Sequence, residues 1–260
     1  MPAGRVIFVS AGPGAADLIT VRGARALAQA QVVLADALAD PDLRDLAPQA
    51  QWISVGKRGF EHSAKQAEIN TLLVDAARKH ALVVRLKGGD ASIFGRLEEE
   101  LAALAEAGID CEIVPGVTAA LASAAQTHRP LTRRGRGRSV TLSTAMTEAG
   151  ELRASRSADT EIFYMAGRQL AALTRHLLLA GWPADTPTLA VSRAGCADAL
   201  SSEHPLADLP RADFLHHGRP TLVTVGAGAA AATPQGLALP ASKIAVSPEF
   251  PAPLTTQSCP

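Results

Sequence analysis

Short apolar runs alternate with longer amphipathic runs through the first half of the chain. The short runs are rich in β-branched residues, which favour extended backbone, and therefore predict strands. These strands are expected at residues 5–10, 32–35, 51–55, 81–86 and 111–114. The longer runs repeat apolar residues every three or four positions and predict helices at residues 21–30, 64–79 and 97–107. Strands separated by helices of this length predict a mostly parallel sheet with helices on both faces.

The pattern changes after Pro115 and Gly116. Helices are predicted at residues 118–126 and 169–180, and strands at residues 139–143, 161–165, 188–192 and 221–225. We therefore predict an N-terminal α/β domain of residues 1–115 and a C-terminal α/β domain of residues 116–228. Residues 229–260 are rich in Ala, Gly, Pro and Thr and offer little to a core, which predicts a disordered tail.

Composition narrows the class of protein. With 260 residues, of which 47% are hydrophobic but only 3% aromatic, the chain predicts a large aliphatic core. The formal net charge is zero, which argues against a binder of nucleic acid or of membrane surfaces. The N-terminus lacks the apolar segment of a signal peptide, and no stretch reaches the ~18 apolar residues of a membrane span. We therefore expect a soluble cytoplasmic protein.

The cysteines and histidines show no spacing typical of metal ligands. The three cysteines are far apart, and none belongs to a C-x-x-C pair. The seven histidines show no ligand spacing with Cys, Asp or Glu. The sequence therefore predicts neither a metal site nor a disulfide framework. It also contains neither a phosphate-binding P-loop nor the G-x-S-x-G turn of many hydrolases.

A glycine-rich loop follows the first predicted strand. Gly12 and Gly14 match the start of the dinucleotide-binding pattern G-x-G-x-x-G, but Pro13 between them has no N–H for a phosphate. Asp17 replaces the third glycine and would repel a pyrophosphate at the start of the next helix. The loop therefore favours a neutral or cationic ligand over NAD or ATP.

A second glycine pair, Gly88 and Gly89, follows the predicted strand 81–86 and is itself followed by Asp90. Glycines allow positive φ angles and let a ligand approach the main chain closely. In open α/β sheets, small molecules usually bind at the carboxyl ends of the parallel strands. An ordinary strand-to-helix turn explains this loop equally well when its residues are considered alone.

Other polar residues follow predicted strands and are candidates for the same edge of the sheet. Asp36 follows the second predicted strand and is either a positioned base or a solvated loop acid. Lys57 and Arg58 follow the third and form either part of a charged rim or a solvated turn. Thr118 precedes a helix, where it can cap the first turn and also contact a ligand.

Residues 129–138 contain five arginines. RNA binding is disfavoured because no aromatic residue is interleaved and the rest of the chain is not basic. A solvated loop is one interpretation. We favour a clamp for a polycarboxylate, since guanidinium groups match carboxylates in geometry. The clamp residues are Arg133, Arg134, Arg136 and Arg138.

Several ordered segments make the chain similar to a known family. They read VSAGPGAADLIT (9–20), VVLADALA (32–39), SVGKRGFEHSAKQAEIN (54–70), VVRLKGGDASIFGR (83–96), VPGVTAA (114–120) and FYMAG (163–167). In this order they resemble the tetrapyrrole methylase superfamily, and within it the uroporphyrinogen-III C-methyltransferases. The resemblance covers roughly residues 5–225.

The resemblance implies a two-domain α/β fold, usually in a homodimer, with a mostly parallel N-terminal sheet, a mixed C-terminal sheet and helices on both faces. It implies that S-adenosylmethionine binds between the domains and leaves as S-adenosylhomocysteine, with no metal. The implied reaction is C-methylation of uroporphyrinogen III, a polycarboxylate tetrapyrrole, at two ring carbons. The product is precorrin-2, which leads to sirohaem and cobalamin.

Residue by residue, the resemblance assigns cofactor contacts and catalytic groups. The cofactor contacts are Pro13, Gly88, Gly89, Asp90, Ile93, Thr118, Ala119, Met165 and Gly195. Asp36 matches the proposed base of the family and Lys57 its proposed acid. Because S-adenosylmethionine carries no phosphate, Pro13 and Asp17 do not conflict with its binding.

The chain departs from the family pattern at several positions. Ala91 replaces the usual proline, Arg133 and Met146 stand where the family has histidines, and residues 192–196 replace the segment E-N-G-T. These departures leave alternatives open. One is a related methylase acting on a later precorrin or, more remotely, on RNA or a modified protein histidine. The other is a non-catalytic paralogue that binds tetrapyrrole or cofactor.

Overall fold

The computed structural model describes residues 4–56, 66–146 and 152–232. Its first sheet contains β1 (Arg5–Ser10), β2 (Val32–Ala35), β3 (Gln51–Ser54), β4 (Leu82–Lys87) and β5 (Cys111–Val114). The strands lie in the order β3-β2-β4-β1-β5, and each neighbouring pair is parallel. The predicted parallel sheet is therefore confirmed, with every strand within one residue of its expected bounds.

Helices cover both faces of this sheet: α1 (Val21–Ala28), α2 (Gln66–Lys79) and α3 (Leu97–Glu106). Alternate residues of a strand point to opposite faces. Phe8 of β1 therefore packs in a cluster with Leu73 of α2 and Leu104 of α3, whereas Val9 packs in a cluster with Leu27 of α1. Burial on both faces explains why these strands have nearly continuous apolar sequences.

A second sheet is formed by later residues. Its strands are β6 (Val140–Thr144), β7 (Thr160–Tyr164), β8 (Pro187–Ser192), β9 (Leu200–Pro205) and β10 (Thr221–Gly226). They lie in the order β6-β7-β10-β8-β9. The pair β6 and β7 is parallel, and the other neighbouring pairs are antiparallel. The mixed sheet implied by the family resemblance is therefore confirmed.

Helices also lie on both faces of the second sheet: α4 (Ala119–Gln126), α5 (Leu170–Leu179) and the short α6 (Asp213–His216). On one face, Ala120 of α4 packs with Ile162 of β7. On the other face, Leu173 of α5 packs with Phe163, the next residue of the same strand. This layered packing confirms the α/β class for both halves of the chain.

The sequence pattern did not predict β9. Its residues, LSSEHP, are mostly polar and are exposed or half-buried. Because β9 lies at the edge of the sheet, it needs no apolar run to hold its place.

The predicted domain boundary at residue 115 stays a prediction. Residue Ala229, which was assigned to the tail, is fully buried beside Leu189 and Val191 of β8. The predicted tail from residue 233 onwards lies outside the described residues.

Candidate cofactor and catalytic site

The loops after β1 and β4 join through paired glycines. The N–H of Gly12 donates to the carbonyl of Gly89 at 3.1 Å, and the N–H of Gly89 donates to the carbonyl of Gly12 at 2.7 Å. Their φ angles are +83° and +67°, in a region that residues with a Cβ rarely adopt. A Cβ on Gly89 would meet no atom within 4 Å. Gly89 therefore leaves an open main-chain surface at the carboxyl ends of two central parallel strands, where α/β sheets usually bind ligands, whereas a Cβ on Gly12 would lie 3.0 Å from the Cβ of Leu18.

Asp90 connects this surface to the loop after β5. Its Oδ2 accepts a hydrogen bond from the N–H of Gly116 at 2.8 Å, and its Oδ1 accepts one from the N–H of Ser92 at 2.8 Å. The N–H of Ala91 donates to the Ser10 hydroxyl at 3.0 Å. Both carboxylate oxygens of Asp90 are thus committed to backbone groups, and its side chain fixes the shape of the loop.

Three further predicted contacts lie close to this loop. Ile93 is half-buried and donates its N–H to the carbonyl of Asp90 at 3.1 Å. A Cβ on Gly88 would lie 2.7 Å from the Cβ of Leu38, so a side chain at position 88 would displace the loop after β2. Ala119 begins α4 and packs against the buried cluster of Leu189. These positions shape the walls of the site.

The loop after β1 also contacts the second half of the chain. The N–H of Ala15 donates to the carbonyl of Gly195 at 2.9 Å. A Cβ on Gly14 would lie 2.5 Å from the carbonyl carbon of Gly195, and a Cβ on Gly195 would lie 2.9 Å from the ring of Pro13. The structure therefore brings Pro13 and Gly195, two predicted cofactor contacts, into contact with each other.

Thr118 and Tyr164, the residue before Met165, form a second contact between the two halves. The Thr118 hydroxyl lies 2.7 Å from the hydroxyl of Tyr164, which ends β7, and Met165 follows it. Thr118 occupies the N-cap position of α4, but its side chain makes no capping hydrogen bond. The ring of Phe94 lies 5.1 Å from that of Tyr164, centroid to centroid. Burial raises the pKa of Tyr164, which keeps this phenol protonated at neutral pH.

Phe94 and Met165 have strained backbones. Their φ angles are +53° and +56°, although neither is glycine, and each side chain is 43% exposed. Non-glycine residues with positive φ persist only where their surroundings hold them, and such residues cluster at ligand sites. The backbone strain marks Met165, a predicted cofactor contact, and also Phe94, which the sequence analysis did not single out.

Asp36, the predicted base, is held by a buried arginine that sequence reasoning missed. Its Oδ1 accepts a hydrogen bond from Nη2 of Arg85 at 2.6 Å, and its side chain is 30% exposed. Arg85 is 2% exposed and also donates to Glu100 and to the carbonyls of Leu34 and Leu86. The guanidinium is therefore fixed on several sides, and it fixes the carboxylate of Asp36 in turn.

Glu100 of α3 completes a buried charge network. Its Oε1 accepts from Nε of Arg85 at 3.0 Å and its Oε2 from Nζ of Lys87 at 2.8 Å, and Glu100 is fully buried. Burial lowers the pKa of Lys87, as does the nearby charge of Arg85. The signal available in the sequence was the pair of cations at alternate positions of an otherwise apolar strand, which places both on one face.

The predicted acid, Lys57, lies outside the described residues, as does its neighbour Arg58. Its role stays a prediction.

The arginine loop lies away from the residues above. Arg138 donates its backbone N–H to Asp159, which immediately precedes β7, whereas Met165 follows the other end of that strand. A strand of this length spans roughly 13 Å. Within one chain, the structure therefore does not bring Arg133, Arg134, Arg136 and Arg138 together with the glycine loops.

The described residues contain no group of three or more His, Cys, Asp or Glu side chains arranged to hold a metal ion. Within the same part of the chain, no helix is long and apolar enough to cross a membrane.

The fold and the site define a class of protein. Residues 5–210 match the model of the family described as Tetrapyrrole (Corrin/Porphyrin) Methylases, and the chain belongs to this family. The resemblance drawn from the ordered motifs is therefore confirmed.

Particular relatives share one name. The Uroporphyrinogen-III C-methyltransferase of Synechocystis sp. is 39% identical over 233 residues, which cover 86% of this chain and 89% of the relative. That of Pseudomonas aeruginosa is 42% identical over 212 residues, which cover 80% and 86%. The crystal structure of Uroporphyrin-III C-methyl transferase from Thermus thermophilus, complexed with S-adenyl homocysteine, has a TM-score of 0.76 and 36% identity and covers 86% of this chain and 97% of its own.

Proposed function

We propose that this protein is an S-adenosylmethionine-dependent C-methyltransferase that converts uroporphyrinogen III into precorrin-2, for sirohaem and cobalamin formation. The observation that carries the proposal is the open main-chain surface at Gly89, which is hydrogen-bonded to Gly12, in a chain that belongs to the tetrapyrrole methylases. Two relatives named for this activity align over 86% and 80% of this chain and over 89% and 86% of their own lengths.

The residues around this surface fit S-adenosylmethionine better than a phosphate-bearing nucleotide. Pro13 has no N–H to offer a phosphate, and Asp90 places a carboxylate, not a cation, beside Gly89. Main-chain groups and the hydroxyl of Thr118 suit a nucleoside that carries a sulfonium and no phosphate. When bound, this cofactor supplies a methyl group on a cationic sulfur, which an electron-rich carbon can attack. The residues that would hold it are Gly88, Gly89, Asp90, Ile93, Thr118, Ala119 and Met165, with Pro13 and Gly195 at the contact between the two halves.

Asp36 is the residue that we propose to act on the tetrapyrrole. Attack by a pyrrole carbon that already bears a side chain leaves a cationic ring whose methylated carbon has no hydrogen, so the proton is lost from the ring N–H or from a neighbouring carbon. The Asp36 carboxylate is partly exposed and held at 2.6 Å by Arg85, so it can stabilise that positive charge without moving and then accept the proton. We therefore keep Asp36 as the proposed base.

We also propose a homodimer, a cytoplasmic location and a substrate clamp, all three from the sequence. The homodimer and the cytoplasmic location are carried over from the family resemblance and from the composition. The clamp formed by the arginine loop would need the loop to reach a substrate from the far end of the second sheet, or to act on the site of a second copy.

The decisive experiment combines the purified protein with uroporphyrinogen III and S-adenosylmethionine. We expect a dimethylated product with an isobacteriochlorin-type spectrum after oxidation, and calorimetric binding of S-adenosylhomocysteine at one site per chain. Tight cofactor binding without product would favour a non-catalytic paralogue. Methylation of a later precorrin alone would favour a sister enzyme.

Replacing Asp90 with alanine is expected to weaken S-adenosylhomocysteine binding by about tenfold or more, because Gly116 and Ser92 each lose a charged acceptor for a backbone N–H. Asp90→Asn keeps one acceptor oxygen and should lose less. Asp110→Ala, at an exposed acid before β5, is the control and should bind normally. Calorimetry checks all three, and an unchanged affinity for Asp90→Ala would contradict our placement of the cofactor.

A further inference from the structure

An open cavity of about 370 Å³ lies at the end of the second sheet that is remote from Tyr164. Arg133, Arg136 and Arg156 line it, together with Trp182. It is bounded by the start of β8 and the end of β10, whereas the glycine loops contact the opposite end of β8. The cavity is therefore separate from the proposed cofactor site.

The one carboxylate among the lining residues offsets only one of the three arginine charges. Oδ2 of Asp159 accepts hydrogen bonds from the backbone N–H groups of Arg138 at 2.8 Å and Ser139 at 3.1 Å, and from the Ser139 hydroxyl at 2.9 Å. These hydrogen bonds lower the pKa of Asp159. The cavity lining thus carries three cations and a single, already committed anion, which favours a bound anion.

Arg133 offers a donor that the described residues leave unpaired. Its Nε is buried without a hydrogen-bond partner, whereas its terminal nitrogens donate to the carbonyls of Ala230 and Ala231. Burial and the charges of Arg129 and Arg136 lower its pKa. Buried donors in proteins are nearly always hydrogen-bonded, so an acceptor from outside the described residues would satisfy this Nε once a shift of the side chain exposes it.

Arg156 is held in place before any ligand binds. Its guanidinium carbon lies 5.3 Å from the centre of the Trp182 ring, and its Nη1 donates to the carbonyl of Gly181 at 2.8 Å. A cation that is already ordered loses little conformational freedom on binding, which increases affinity. Arg136, in contrast, has no side-chain hydrogen bond to any described residue and is available to a ligand.

We propose that this cavity binds a compact polyanion, whose paired anionic oxygens are held by Arg133, Arg136 and Arg156. Guanidinium groups bind carboxylates and phosphates through the same two-point geometry, so both kinds of oxygen fit. The site goes beyond the proposed methyl transfer and does not depend on it. Arg133 stands where the family motif has a histidine, so this cation is a departure from that motif.

The test measures anion binding by calorimetry on the full chain at about 150 mM salt, where diffuse charge effects are screened. Citrate is the probe for carboxylates and pyrophosphate the probe for phosphates, and the arm that gives saturable binding at one site per chain identifies the ligand class. Arg136→Gln is expected to weaken that binding about tenfold or more, since it removes one charged donor. Arg133→Gln tests the buried donor in the same way.

The matched controls are Arg134→Gln and Arg138→Gln, which remove the same charge from the same loop but do not line the cavity. They should change the affinity less than twofold. Equal losses in cavity variants and controls would show a diffuse basic surface and overturn the site, as would the absence of saturable binding with either probe. S-adenosylhomocysteine affinity, measured in parallel, should stay unchanged in every variant, so failure here is distinct from failure of the proposed activity.

Discussion

Asp36→Asn is expected to lower kcat by about 100-fold or more while S-adenosylhomocysteine affinity stays within twofold of normal. Asparagine keeps the shape of the side chain and an oxygen that accepts from Arg85, so the local structure should persist. What disappears is the negative charge, and with it both the stabilisation of a cationic ring and the proton acceptor. Initial rates of tetrapyrrole methylation and calorimetry with S-adenosylhomocysteine give the two quantities.

A control is available in the segment between β2 and β3. Asp45 is an exposed acid a few residues after Asp36, and Asp45→Asn should leave both kcat and cofactor affinity unchanged. If Asp36→Asn retained full activity, Asp36 would have no part in the reaction. If it lost cofactor affinity as strongly as kcat, its role would be in binding.

Glu100→Gln is expected to destabilise the protein by about 3–5 kcal/mol, the usual effect of removing one partner of a buried ion pair. Glu100 is fully buried and accepts from both Arg85 and Lys87. Glutamine can accept from one of them, but its amide nitrogen cannot accept from the other, so the buried Lys87 loses its paired carboxylate and Arg85 keeps only Asp36. Urea denaturation followed by circular dichroism measures the loss.

The neighbouring residue supplies the control. Glu99 pairs with Arg96 at the surface, where the two side chains are 46% and 51% exposed. Surface ion pairs contribute roughly 0–1 kcal/mol, so Glu99→Gln should have a small effect. Equal destabilisation by the two substitutions would mean that the buried network adds nothing beyond helix stability.

The sequence predicted most of the fold because the central strands of both sheets are mostly apolar and buried. Residues Val32 to Ala35, for example, form a short run of apolar residues after a helix, and this run predicted the buried strand β2. The polar strand β9 escaped because an edge strand pairs through its backbone and needs no apolar pattern. Chain order also cannot show which end of a sheet a loop occupies, so the arginine loop was grouped with residues from which the structure separates it.

The charged network escaped for a different reason. Arg85 and Glu100 are fifteen positions apart, on a strand and a helix, and only the packing of α3 against the sheet brings them within 3.0 Å. Glu100 belongs to an acidic run at the start of α3, which would be read as a solvated helix terminus. The family resemblance could assign Asp36 a role, but it could not reveal what holds its carboxylate.

The cations of β4 also constrain how the central strand can align with its neighbours. Arg85 and Lys87 share a face with Val83, towards Glu100, whereas Val84 and Leu86 face the opposite layer. A slip of β4 by one residue would turn both cations towards that hydrocarbon layer. A purely aliphatic β4 would tolerate such misalignment far more readily, so Arg85 and Lys87 favour the native alignment of the strand while the chain folds.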